Sequence, residues 1–183
     1  MAPYVPEALS GRPRAAYRPA MSYPDPRYAG SDGEVIARFR PVDTPPELPR
    51  PGGGAASYLA TGATTDGRFG LYRWDMGGGP GGADPHFHRT ISESFFVLSG
   101  RVQLFDGQDW VDSRPGDFVY VPEGGLHGFR NESGEPASML ILFAPGAPRE
   151  PYFEGLVAIA EGRWKPSHEE LQAFFEEHDN IFV

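Results

Sequence analysis

The sequence predicts an all-β barrel with an extended N-terminal arm and a short C-terminal helical extension, and three observations carry that reading. The 183 residues include 24 Gly and 20 Pro, a share of turn formers that suits short strands joined by tight turns and not a helical bundle. Strand-like runs recur between residues 56 and 143, with turn residues between them, at the spacing of a sandwich or closed barrel. The length fits one domain with extensions, at about 100–200 residues per domain.

The elements follow in chain order. Residues 1–31 hold six prolines with Tyr4, Tyr17, Tyr23 and Tyr28, and show neither helical nor alternating apolar period. An arm over 1–33 is expected, either disordered or lying along the barrel or a neighbouring subunit, since tyrosines offer apolar area. The barrel then spans 34–150. Glu34–Phe39 reads as a short strand, and 41–54, with five prolines and three consecutive glycines, as a loop. Strands are predicted over 56–60, 68–75, 93–98, 101–105, 109–112, 117–121, 126–130 and 137–143. SFFVL and SMLILF are apolar on both faces, which predicts an outer face covered by a sheet, an arm or a partner. The run MGGGPGG over 76–82 has neither the Lys-Ser/Thr nor the helix of a phosphate loop, and reads as a flexible mouth. A C-terminal helical segment occupies 151–183. It holds a short helix over 153–161 and a second over 167–178, where Ser167 and Glu170 form a capping box and Leu171, Phe174, Phe175 and His178 share a face.

Composition narrows the function. Sixteen Lys and Arg against 25 Asp and Glu give a net charge of −9, so neither nucleic acid nor an anionic membrane surface is an expected partner. No apolar run approaches a bilayer span and the N-terminus lacks the apolar core of a secretory signal, so a cytoplasmic location is expected. With no cysteine present, strong metal ligands are confined to His and carboxylate.

Three of the five histidines stand in two short motifs. In HFHRTISESFFVLSG, His86 and His88 lie two apart and point to one face of a strand. Glu93 lies five beyond His88, an odd offset, and joins that face only if RTIS forms a turn or bulge. His127 follows a turn made from Pro122, Gly124 and Gly125. Three imidazoles and a carboxylate suit one divalent transition metal ion, Fe, Mn, Co, Ni, Cu or Zn, over Ca or Mg. A lone His-x-His says little; the conjunction says much. Strand parity then nominates pocket walls. Phe95 and Val97 follow Glu93, Phe129 follows His127, and on 68–75 either Tyr72 and Trp74 or Phe69, Leu71, Arg73 and Asp75 face inward.

These residues resemble the cupin superfamily, whose motifs run G(X)5HXH(X)3-4E(X)6G and G(X)5PXG(X)2H(X)3N. His86, His88, Glu93 and Gly100 match the first, with Pro80 where its opening Gly belongs, and Gly116, Pro122, Gly124, His127 and Asn131 match the second. The resemblance covers roughly 65–145 and implies a jelly-roll β-barrel with His86, His88, Glu93 and His127 as metal ligands. It also implies chemistry similar to that of quercetin-dioxygenase-like single cupins: a dioxygenase acting on an aromatic or enolisable small molecule, with Glu93 as the catalytic base. Tyr72, Trp74, Phe95 and Phe129 are the expected substrate pocket, and Asn131 is expected to hold a turn. Rival readings are a Zn-dependent cyclase or isomerase of polyketide-like substrates, and a small-molecule binding module without turnover. Cupins are commonly dimers, so a homodimer is expected.

Overall fold

The computed structural model describes residues 23–183. Most of the expected arm therefore lies outside the described residues. The backbone divides between Phe39 and Arg40, and residues 23–39 carry neither helix nor strand. The strand predicted over Glu34–Phe39 is absent. Val35, Ile36 and Phe39 are exposed and no strand pairs with the run among the described residues; β-branched residues make a strand only where a neighbour completes the ladder.

From Arg40 onward the strands are β1 (Leu48–Arg50), β2 (Gly54–Ala60), β3 (Gly70–Met76), β4 (Gly81–Phe87), β5 (Ser92–Ser99), β6 (Val102–Phe105), β7 (Trp110–Ser113), β8 (Phe118–Val121), β9 (His127–Asn131) and β10 (Ala137–Ala144). Helices α1 (Glu150–Ala160) and α2 (His168–Glu177) and a short strand β11 (Ile181–Phe182) follow. One antiparallel sheet has the order β1-β2-β3-β10-β5-β8, the other β11-β4-β9-β6-β7. The fold is the jelly-roll predicted, two sheets sharing one core and not one continuous ladder. Tyr72, Trp74, Phe95, Met139, Ile141 and Phe143 from the first sheet meet Leu104 and Phe129 from the second. Each such side chain contributes about 1.5–3 kcal/mol of burial free energy. No helix among the described residues is long and apolar enough to cross a membrane.

Burial settles the parity left open on β3, where Tyr72, Trp74 and Met76 point inward and Leu71, Arg73 and Asp75 do not. Two departures from the sequence reading matter. First, β1 and the start of β2 form within the run read as a loop. Second, Gly81 and Gly82 belong to β4, paired with Asn131 and Arg130 of β9. A Cβ on Gly82 would sit 2.0 Å from the Phe129 carbonyl oxygen, so glycine here permits a close backbone approach and does not signal a flexible mouth. On the outer face of β5, Phe96 and Leu98 are exposed among the described residues, as are Phe118 and Tyr120 on the adjoining edge strand β8.

The C-terminal helices match expectation more closely. Ser167 accepts from the Glu170 N–H at 3.2 Å while the Glu170 carboxylate accepts from the Ser167 N–H at 2.7 Å, the reciprocal capping box that starts α2. Phe174 and Phe175 of α2 lean on the core, and Phe174 stacks on Tyr152 of α1.

Candidate metal centre

Four elements bring four side chains to one point. His86 on β4 pairs directly with His127 at the start of β9, His88 follows β4, and Glu93 is the second residue of β5 in the opposite sheet. The odd offset between His88 and Glu93 is absorbed by the turn between β4 and β5, as the spacing required. Asp179 holds that turn. Its carboxylate accepts from the N–H groups of Arg89 and Thr90 at 2.9 and 2.8 Å and from the Thr90 hydroxyl at 2.7 Å. On the other side, the Gly124 N–H donates to the His88 carbonyl at 2.7 Å. Gly124 adopts φ +79, a conformation that is cheap for glycine alone.

All four ligand residues are buried, and one donor atom from each lies within 4.8 Å of the others. The Nε2 atoms of His88 and His127 lie 2.9 and 2.8 Å from the same Glu93 oxygen, Oε2. The far nitrogens are equally well fixed. His86 Nδ1 meets the Asp84 carbonyl at 2.8 Å, His88 Nδ1 the Asp179 carbonyl at 2.5 Å, and His127 Nδ1 the Gly125 carbonyl at 2.9 Å. A carbonyl oxygen only accepts, so each Nδ1 carries the hydrogen and each neutral ring turns an Nε2 lone pair inward.

Lone pairs facing a carboxylate repel unless a cation stands between them, and that requirement is the fit test for a metal. Either protons or a metal ion can supply the charge, and three neutral imidazoles with one carboxylate form a set that suits a divalent transition ion. Burial pushes the His86 pKa down to about 4, which keeps this ring neutral and its lone pair available. Burial alone would raise the Glu93 carboxyl, but the bonds from His127 and His88 outweigh it and hold the group well below the usual carboxylate range. For His127, burial acts downward and the Glu93 bond and charge outweigh it, raising its pKa.

A cavity of ≈ 60 Å³ opens beside His86 and Glu93. Trp74, Phe129, Phe143 and Phe153 form its apolar wall, with Arg50 and Arg149 also lining it. Of the four pocket residues predicted, Trp74 and Phe129 line the cavity. Tyr72 and Phe95 do not. The Tyr72 hydroxyl donates to Glu150 at 2.6 Å and its ring meets Phe153 edge-on, while Phe95 lies against the rings of His127 and Phe129. Both face inward, but other rings stand between them and the space. A larger hollow of ≈ 320 Å³ lies between α2 and β11, sharing Asn180 with the first and containing none of the four ligands.

Three functional residues escaped the sequence reading: Asp179, Asn180 and Arg149. Nothing in the spacing ties Asp179 or Asn180 to His88. Arg149 leaves one trace, for it is the N-cap residue of α1 and makes no side-chain cap. A cation at the positive end of a helix is locally unfavourable, and such a residue is held by something outside the helix. Asn131 does as expected: its side chain donates to the Glu135 and Gly77 carbonyls and accepts from Ser133, closing a turn.

Comparison with known proteins agrees with this geometry. The cupin domain model matches residues 72–143. A quercetin 2,3-dioxygenase of Bacillus subtilis (strain 168) is 32% identical over 90 residues, 49% of this chain and 26% of that protein. Germin-like protein 5-1 of Oryza sativa subsp. japonica is 36% identical over 90 residues, covering 45% of this chain and 36% of its own length. An uncharacterised protein of Streptomyces coelicolor is 34% identical over 76 residues, 42% of this chain and 68% of that one. The chain thus spans only about a quarter of the dioxygenase it matches. Among solved structures, the polyketide cyclase RemF from Streptomyces resistomycificus superposes with a TM-score of 0.50 at 24% identity, over 62% of this chain and 82% of that one, a likeness of fold.

Proposed function

Residues 72–143 match the cupin domain model, and from that premise we propose that the chain is a metal-dependent dioxygenase acting on a small enolisable molecule, with His86, His88, Glu93 and His127 holding one divalent transition metal ion. The observation that carries the metal is the orientation of the three rings, each Nδ1 bonded to a carbonyl so that the Nε2 lone pairs converge on Glu93. The partial likeness to a quercetin 2,3-dioxygenase supports the reaction class. Cavity size favours an enolisable compound of few atoms over a fused-ring flavonol, because ≈ 60 Å³ falls below the roughly 150 Å³ that accommodates one benzene ring.

When bound, the ion would supply Lewis acidity to a substrate in the cavity. The protein's residues do the rest. Glu93 is the proton acceptor, a buried carboxylate that lines the cavity beside His86. His86 stays neutral and fixed by the Asp84 carbonyl. Trp74, Phe129, Phe143 and Phe153 exclude water around the reacting atoms.

The test is elemental analysis of protein purified without a metal-affinity tag, followed by oxygen uptake with enolisable compounds. About one equivalent of Fe, Mn, Co, Ni or Cu is expected, lost in His86→Ala/His127→Ala, with oxygen consumed in turnover. Glu93→Gln is expected to fold, keep part of its metal and lose turnover. No metal after reconstitution would overturn the proposal, and turnover unchanged without oxygen would replace the dioxygenase by a Lewis-acid cyclase or isomerase.

A further inference from the structure

Arg149 is a buried cation with no carboxylate in contact, the charges of Glu93 and Asp179 acting on it from a distance. It is 3% exposed and forms no ion pair with Asp or Glu among the described residues. Two of its nitrogens are engaged by neutral groups: Nη1 donates to the His178 carbonyl and Nη2 to Asn180 Oδ1 at 2.7 Å. The rings of Tyr152 and Phe143 flank the guanidinium at 4.4 and 4.8 Å. Its Nε–H is buried with no acceptor among the described residues, and the same is true of Trp74 Nε1. Both residues line the cavity that reaches His86 and Glu93, as does Arg50, whose guanidinium covers the Trp74 ring at 3.9 Å.

Burying a guanidinium costs several kcal/mol when no anion compensates it, and an orphaned buried N–H costs about 1–3 kcal/mol more. Ring stacking and two neutral acceptors offset part of this cost. A purely structural clamp on His178 and Asn180 has no need of a permanent charge. Two arginines and two unanswered donors around one small cavity call for an anionic acceptor.

We infer that this cavity takes a small carboxylate, its oxygens received by Arg149 and Trp74 with Arg50 beside them and its enolisable end directed at His86 and Glu93. This rests on the metal-site reading and adds to it the charge and size of the substrate. A water needs roughly 10–15 Å³ of such space, so ≈ 60 Å³ accommodates roughly four to six non-hydrogen atoms. Short 2-oxo acids fall in that range, whereas sugar phosphates and polyketides exceed it.

The experiment is isothermal titration calorimetry of the metal-loaded protein with pyruvate and with pyruvamide, its uncharged counterpart of equal size, repeated after chelator treatment. Pyruvate is expected to bind at least about tenfold more tightly, as a charged hydrogen-bonded pair provides, and to keep a preference after chelation, when only the arginines remain to hold it. Arg50→Met and Arg149→Met are each expected to reduce the preference. If Arg149→Met fails to fold by circular dichroism, Arg50→Met and the chelated comparison decide. Equal affinities, binding of neither compound, or a preference that vanishes with the ion would overturn the inference while a full equivalent of metal left the metal centre standing. Absence of metal with the preference intact would strike the metal reading alone.

Discussion

The carbonyl oxygen of Asp179 accepts a hydrogen bond from Nδ1 of His88 at 2.5 Å across a separation of 91 positions. The same residue holds the Arg89–Thr90 turn through its carboxylate and adopts φ +55, a left-handed conformation that Asn and Asp tolerate better than most residues. Asp179 thus aims a candidate metal ligand that lies far from it in the sequence.

Asp179→Asn keeps the backbone conformation and removes the charge that gathers three donors. It is expected to leave the fold intact and weaken metal binding about tenfold, the lower end of the effect of residues that orient ligands. Competition against a chromophoric chelator reads this directly, and unchanged affinity would show that the turn holds itself.

Gly82→Ala is expected to cost about 3 kcal/mol, the upper end for overpacking, because its Cβ would meet the Phe129 carbonyl at 2.0 Å and push apart the strands that carry His86 and His127. Gly79→Ala is the control, with nothing within 4 Å of its Cβ. Denaturant melts of both variants check the contrast; equal midpoints would refute it.

His178 packs against Tyr152 and Phe174. Burial first, then the charge of Arg149, disfavours its imidazolium and sets its pKa below the ordinary 6.5. The unfolded chain therefore takes up this proton first. Stability from the neutral ring is complete above about pH 6.5 and is lost as pH falls below it. Thermal melts of chelated protein between about pH 8 and about pH 5 should show a steeper decline for the wild type than for His178→Phe, and parallel curves would remove His178 from the account.

Homodimer formation, expected from the sequence, has a face available to it. Phe96, Leu98, Phe118 and Tyr120 are exposed together on β5 and the edge strand β8, an apolar strip at an unpaired sheet edge. Light scattering at micromolar concentration is expected to give twice the 20.0 kDa chain mass, and Phe118→Glu/Tyr120→Glu to give the single mass with the fold kept. A wild-type monomer would refute the dimer.

Both motifs were legible because their ligands sit on short local patterns: His86 and His88 share a strand face, and Pro122 with Gly124 announces the bend before His127. The capping box at Ser167 is local in the same sense. What escaped depended on pairing or on distant contacts. Glu34–Phe39 has strand-like residues without a partner, whereas Gly81 and Gly82 lack them and pair nonetheless. Tyr72 and Trp74 share a parity, yet only Trp74 reaches the cavity, because parity gives direction and says nothing of what stands in the way. Arg149, Asp179 and Asn180 belong to the site through tertiary contacts alone, and no period in the chain encodes those.

The reach of Asp179 back to His88 also sets an order of events at the ribosome. At roughly 5–20 residues per second, the histidine ring waits several seconds after its own synthesis before the carbonyl that orients it exists. A nascent chain bearing all four candidate ligands is therefore still without the carbonyl that fixes the His88 ring.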